Sequence, residues 1–131
     1  MSASIALDTN AYRALDDGDK RLADILRTAS VIGLPVIVLG ELYAGFLGGN
    51  KADVNRERLD RLLAGPRVRI LHVDEATPRF FGEVAQALKK LGKPIQQDDM
   101  WIAALCLQHG FRLATRDRGF DAIPLLGVMP F

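Results

Sequence analysis

Cysteine is nearly absent from this chain: Cys106 is the only one in 131 residues, so no intrachain disulfide can form. It falls in a run that is apolar nearly all round, residues 100–107, where a small core residue is a better reading than a nucleophile. Histidine is almost as scarce. His72 and His109 stand far apart, and with one cysteine they cannot assemble a zinc site. His72 reads as a strand side chain and His109 as a residue favoured at the negative end of a helix, so neither is assigned to catalysis. No sign of charge is in excess: 17 Lys and Arg face 16 Asp and Glu, a net charge of +1, which excludes a polycation and leaves any nucleic-acid contact to a local patch. Long hydrophobic runs are missing too. The longest uncharged apolar stretch, residues 28–40, holds Pro35 and is too short to span a bilayer. The start of the chain has no basic region and Asp8 interrupts any signal-like core, so a cytoplasmic protein without membrane contact is expected. A glycine-rich phosphate loop is lacking, which makes a nucleoside triphosphate a poor guess as substrate.

What is present is ordinary for a soluble domain, 49% hydrophobic and 25% charged residues, and the length suits one domain over residues 1–131 that buries about two-thirds of its unfolded surface. Residues 4–7 read as a short buried strand ending at Asp8, followed by a helical turn or two at 12–15. Leu22, Ile25, Leu26 and Ala29 recur along one helix face. Residues 31–39 form the strongest strand candidate, its regular part starting near Pro35, and 41–47 have helical spacing. An amphipathic helix follows at 54–63, then a half-exposed strand at 68–73. Asp74 or Thr77 would cap the next helix, whose core face carries Phe80, Val84, Ala87, Leu88 and Leu91 and which Gly92 closes. Residues 100–107 make a buried helix headed by Asp98 and Asp99 and ended by Gly110, with Trp101 read as core. Strands at 111–114 and 125–129 complete the pattern, with a helical turn between them at 119–122.

Strands alternating with helices argue for an α/β fold with a parallel sheet covered on both faces. Ligands of such sheets bind beyond the carboxyl ends of the strands. Asp8, Glu41 and Asp117 each follow a strand-like segment, which places them at that edge, and Asp98 and Asp99 open a helix that begins there. Clustered carboxylates repel one another and raise one another's pKa unless a cation neutralises them. Oxygen-only ligands suit Mg²⁺ or Mn²⁺. A cation so held can polarise a phosphodiester and stabilise its leaving oxygen, so hydrolysis of nucleic acid fits the set.

Four short motifs carry a family resemblance: LDTN at 7–10, GELYAG at 40–45, GKPI at 92–95 followed by DDMWIAA at 98–104, and TRD at 115–117 with Phe120. In this order and spacing, over essentially the whole chain, the sequence resembles a PIN-domain ribonuclease, and in particular the VapC toxins of type II toxin–antitoxin systems. The resemblance implies a five-stranded parallel sheet in a three-layer α/β/α sandwich, metal-dependent endonucleolytic cleavage of RNA, inhibition by a VapB-like antitoxin, and commonly a homodimer. Carried over residue by residue, Asp8, Glu41, Asp99 and Asp117 match the acidic metal ligands. Thr9, Asn10 and Thr115 match the small polar residues that orient them. Position 98 is often asparagine in that family; Asp98 here leaves open which acid of the pair turns to the metal. Arg13, Lys93, Arg116 and Arg118 are candidates to meet RNA phosphates, and Tyr12, Tyr43 and Phe46 form an apolar set that could receive an antitoxin segment.

Rival readings are weaker. A phosphoaspartate hydrolase would want an acid where Asn10 stands, and a receiver domain would want its acid pair early and a lysine after a late strand. A non-catalytic PIN-like scaffold would want a broken acidic set.

Overall fold

The computed structural model describes residues 3–131. Five strands form one all-parallel sheet: β1 (Ala3–Leu7), β2 (Ala29–Pro35), β3 (Val68–Leu71), β4 (Arg112–Ala114) and β5 (Val128–Met129), in the order β3-β2-β1-β4-β5. Six helices connect them: α1 (Thr9–Asp16), α2 (Lys20–Arg27), α3 (Val36–Leu47), α4 (Ala52–Leu63), α5 (Thr77–Leu91) and α6 (Gln97–His109). A short 3₁₀ helix, Arg118–Ala122, lies between β4 and β5. The chain winds outward from β1 through β2 to β3, then returns to place β4 on the other side of β1. Right-handed crossovers therefore put α1 to α4 on one face of the sheet and α5 with α6 on the other. Ile5, Ala6 and Leu7 in the central strand are all buried, as a strand covered on both faces requires. The expected α/β sandwich with five parallel strands is the observed one.

The winding reverses between β1 and β4, and that switch point is where such sheets open a crevice. Its two strands end on Leu7 and Ala114, directly before Asp8 and Thr115. Phe120, 1% exposed, anchors the segment after β4, and burying a phenylalanine side chain contributes roughly 1.5–3 kcal/mol.

Several boundaries depart from the sequence expectation. The apolar run at 31–39 is not one strand: β2 stops at Pro35, opposite Leu71, and Val36 to Leu39 are the first turn of α3. A run apolar on every side carries no period to separate strand from helix, and Pro35 supplies the extended residue that precedes the helix. Glu41 consequently projects from a helix and does not terminate a strand. Ala29 begins β2 and does not end α2, because its burial is satisfied by the sheet. The first helix starts earlier than expected, at Thr9, since the Asp8 carboxylate accepts the Ala11 N–H at 2.8 Å and caps it. Likewise α6 starts at Gln97 with Gln96 at the cap position, so Asp98 and Asp99 are first-turn residues and neither is the cap. Ala76 precedes α5, and Asp74 and Thr77 bond each other instead of capping: the Thr77 hydroxyl accepts the Asp74 N–H and donates to Gln108, while the Asp74 carboxylate accepts from the Ala76 N–H. Leu91 is exposed, and of 125–129 only Val128–Met129 is strand, with Leu125 wholly exposed at φ 67. Trp101 is half-buried and stacks on Phe81, ring centroids 4.1 Å apart. The glycine terminators hold: Gly92 and Gly110 close α5 and α6 in the left-handed conformation.

Candidate active site

Each acid reaches the switch-point crevice from a different element. Asp8 leaves the end of β1 and heads α1; Glu41 stands one turn into α3; Asp99 is in the first turn of α6; Asp117 heads the 3₁₀ helix after β4. All four line one open cleft of about 890 Å³, together with Thr9, Asn10 and Arg13. No cysteine or histidine lines it. Among the described residues no three acids close on a point as a preformed cage. A small divalent cation does not require one, since it keeps several waters and takes one or two carboxylates directly.

Two threonines hold two of the acids. Thr115, 1% exposed, donates its hydroxyl to Asp8 Oδ2 and accepts the Asp117 N–H at 2.9 Å, so a single buried side chain ties the end of β1 to the loop after β4. Asp8 is 5% exposed, and its other oxygen takes the Ala11 N–H. Thr9 donates to Glu41 Oε1, which fixes the glutamate across from β1. Asp117 Oδ1 accepts the Gly119 N–H at 2.8 Å.

The electrostatics follow from this crowding. Burial pushes the Asp8 carboxyl up; the bonds from Thr115 and Ala11 oppose that shift, and Asp117 and Glu41 add to it. Asp99 is pushed up to about 6, by burial first and then by the negative charge of Asp117, Glu41, Asp8 and Asp98. Among the described residues no hydrogen-bond donor offsets that shift. A polar cleft of unneutralised carboxylates is a site arranged for positive charge.

The remaining candidates separate. Asn10 and Arg13 line the cleft. Asp98 is exposed and does not. Lys93 and Arg118 lie outside it, beside a neighbouring pocket, and Arg118 is paired with Asp121 at 2.6 Å. Arg116 points away: it pairs with Asp19 and lies over the Phe131 ring, 4.5 Å from its centroid. Of the four cations expected to meet phosphates, only Arg13 therefore faces the acids. Tyr12 is buried at 4% exposure, so it is not an apolar surface group; Tyr43 and Phe46 are half-buried and pack edge to face. The cleft also includes Ala44, Pro94 and Ile95, which belong to the quoted motifs without a role assigned to them, and Gln96 and Gly119, which the sequence reading did not single out. Gln96 and Gly119 have no distinctive chemistry; only their positions between motif residues marked them.

Gly119 has a specific reason to lack a side chain. A Cβ there would lie 3.0 Å from Asp117 Oδ1 and 3.2 Å from Ile95 Cγ2. Gly119→Ala is expected to displace the Asp117 carboxylate and lower the catalytic rate on the order of tenfold, equivalent to ~1.4 kcal/mol, with a nearly unchanged melting temperature. Rates at saturating cation and a thermal melt check this; a wild-type rate would show that Asp117 tolerates the shift.

Comparison with known proteins sets this cleft in context. The family model of the PIN domain matches residues 5–126. The chain is 27% identical to Ribonuclease VapC5 of Mycobacterium tuberculosis over 92% of its own length and 88% of that protein's. It is 33% identical to the Plasmid stability protein StbB of Pseudomonas syringae pv. tomato, over 75% and 74% of the two chains. Its fold superposes on a chain in the crystal structure of VapBC2 from Rickettsia felis bound to a promoter DNA fragment with a TM-score of 0.86, at 25% identity, covering 97% of this chain and 98% of the other.

Proposed function

The chain belongs to the PIN-domain family, and from that premise we propose that it is a metal-dependent endoribonuclease, the toxin of a type II toxin–antitoxin pair held in check by a VapB-like antitoxin. The observation that carries the reading is the cleft itself: four carboxylates from four separate elements, without nitrogen or sulfur donors, at the switch point of a parallel sheet. Asp8, Glu41, Asp99 and Asp117 would hold the ion, and their oxygen-only chemistry fits Mg²⁺ or Mn²⁺. When bound, such a cation supplies the charge that polarises a phosphodiester and stabilises the leaving oxygen. Thr115 and Thr9 keep Asp8 and Glu41 in place before substrate arrives, so little reorganisation is needed at the moment of reaction. Arg13 offers the cleft a positive charge for a phosphate that the acids would otherwise repel. An enzyme acting on cellular RNA works in the cytoplasm, and no helix among the described residues is long and apolar enough to cross a membrane. A homodimer belongs to the same reading, supported by the family resemblance. The scaffold alternative loses ground to the presence of all four acids on one cleft.

Purified protein incubated with generic RNA is expected to cleave it with millimolar Mn²⁺ or Mg²⁺, to stop in EDTA, and to resume when cation is restored in excess. Cleavage that persists in EDTA would overturn the metal dependence. Intact RNA under every cation condition would overturn the enzyme.

A further inference from the structure

Beside the acidic cleft lies a second pocket of different chemistry, about 370 Å³ and mostly apolar, between α5 and the start of α6. We infer that it receives a nucleobase of the same RNA strand whose scissile phosphate sits among the acids. This rests on the ribonuclease reading and adds to it a subsite and a path for the strand.

Three observations carry it. The two cavities adjoin, because Pro94 and Ile95 line both and form the ridge between them. They also share a wall: Asp99 and Met100 are successive residues in the first turn of α6, the acid lining the cleft and the thioether lining the pocket. A nucleotide next to a phosphate at Asp99 is thus within reach of Met100. Second, the lining matches a base. Leu88, Ile95 and Met100 offer an apolar surface, and single-stranded RNA splays its bases so that their faces can be covered by protein. Third, the charge is right for the backbone attached to that base. Lys89 and Lys93 also line this pocket, both exposed. Among the described residues neither lysine is in an ion pair, whereas Arg116 and Arg118 are held by Asp19 and Asp121. The cations available to phosphates therefore run from Arg13 in the cleft to Lys89 and Lys93 beyond it, and the strand follows them across the Pro94 to Ile95 ridge. Apart from those lysines the lining side chains have no hydrogen-bonding groups for a base edge, so the pocket selects for an apolar face of the right size more than for sequence.

The test uses a short RNA whose cleavage site has been mapped, with an abasic ribose placed in turn at each nucleotide flanking the scissile bond. Covering roughly 60 Å² of an apolar base face contributes about one order of magnitude in binding. One flanking abasic position, on one side only, is expected to raise KM about tenfold with kcat nearly unchanged. Ala85→Phe, which fills the pocket from α5, is expected to raise KM of the intact RNA by a similar factor and to leave KM of the abasic RNA as in wild type. Lys89→Gln and Lys93→Gln change exposed side chains and threaten no packing; each is expected to flatten the dependence of log KM on log salt by about 0.7, one phosphate of a single strand. A thermal melt confirms that Ala85→Phe is folded. Equal cleavage of all abasic substrates, or an Ala85→Phe loss that is the same with and without the base, overturns the subsite while leaving the ribonuclease intact. An Ala85→Phe effect on antitoxin binding alone would assign the pocket to a protein partner and overturn it equally. Failure of the wild-type protein to cleave any RNA with Mn²⁺ would remove the enzyme reading and the subsite together.

Discussion

Asp99→Asn is expected to slow RNA cleavage by orders of magnitude while raising the melting temperature of the metal-free protein at neutral pH. The carboxylate lines the cleft with three others, and its raised pKa, about 6, records that the fold disfavours its charge. Removing that charge relieves the repulsion and stabilises the empty site. It also deletes one of the charges proposed to hold the cation, at a partly desolvated position, and each ~1.4 kcal/mol of lost transition-state stabilisation costs tenfold in rate. Asp98→Asn provides the contrast. Asp98 shares the first turn of α6 but is exposed and outside the cleft, so its charge acts mainly on the helix dipole, on the order of 0.3–1 kcal/mol of stability. This variant should keep most of its activity and melt at the same or a slightly lower temperature. Cleavage at saturating Mn²⁺, with circular dichroism melts, reads both effects. An inactive Asp98→Asn beside an active Asp99→Asn would reverse the assignment of the ligand.

The second large effect links the cation to pH. Asp99 and Asp8 have folded pKa values above their ordinary ones, so between those values the folded chain binds more protons than the unfolded chain. Stability of the metal-free protein therefore declines as pH rises from about 4 through about 6, and the unfavourable contribution of Asp99 is complete above that. A divalent cation in the cleft removes the repulsion, most strongly where the acids are ionised. At 100 times its Kd a ligand specific for the folded state adds about 2.7 kcal/mol, on the order of 10 °C for a domain of this size. Millimolar Mn²⁺ is thus expected to raise the melting temperature markedly at pH 7.5 and little at pH 5, where protons compete for the same oxygens. Melts over pH 4.5–7.5 with and without Mn²⁺ test this. A gain that is equal at both ends of the range would place the ion away from these carboxylates.

What the linear chain determined by itself was the alternation of elements and hence the parallel sheet, together with the four acids that meet on one cleft and the oxygen-only donors they present there. Those features are local or compositional: apolar period, glycine terminators at Gly92 and Gly110, the scarcity of cysteine and histidine, and short motifs whose order is visible in the chain. The tertiary structure decided how each acid is presented. Residues 31–39 are apolar on every side, so nothing local could tell that the strand gives way to a helix at Pro35 and that Glu41 would stand on α3 within reach of Thr9. Asp98 and Asp99 are chemically identical neighbours, and only the packing of α6 against the sheet turns one into the cleft and leaves the other in water. The cations were indistinguishable in sequence for the same reason: Arg116 is taken by Asp19 from 97 residues away, a pairing that exists only once β4 lies beside β1. Side-chain direction and long-range partners depend on contacts between distant segments, and those contacts come into being with the fold.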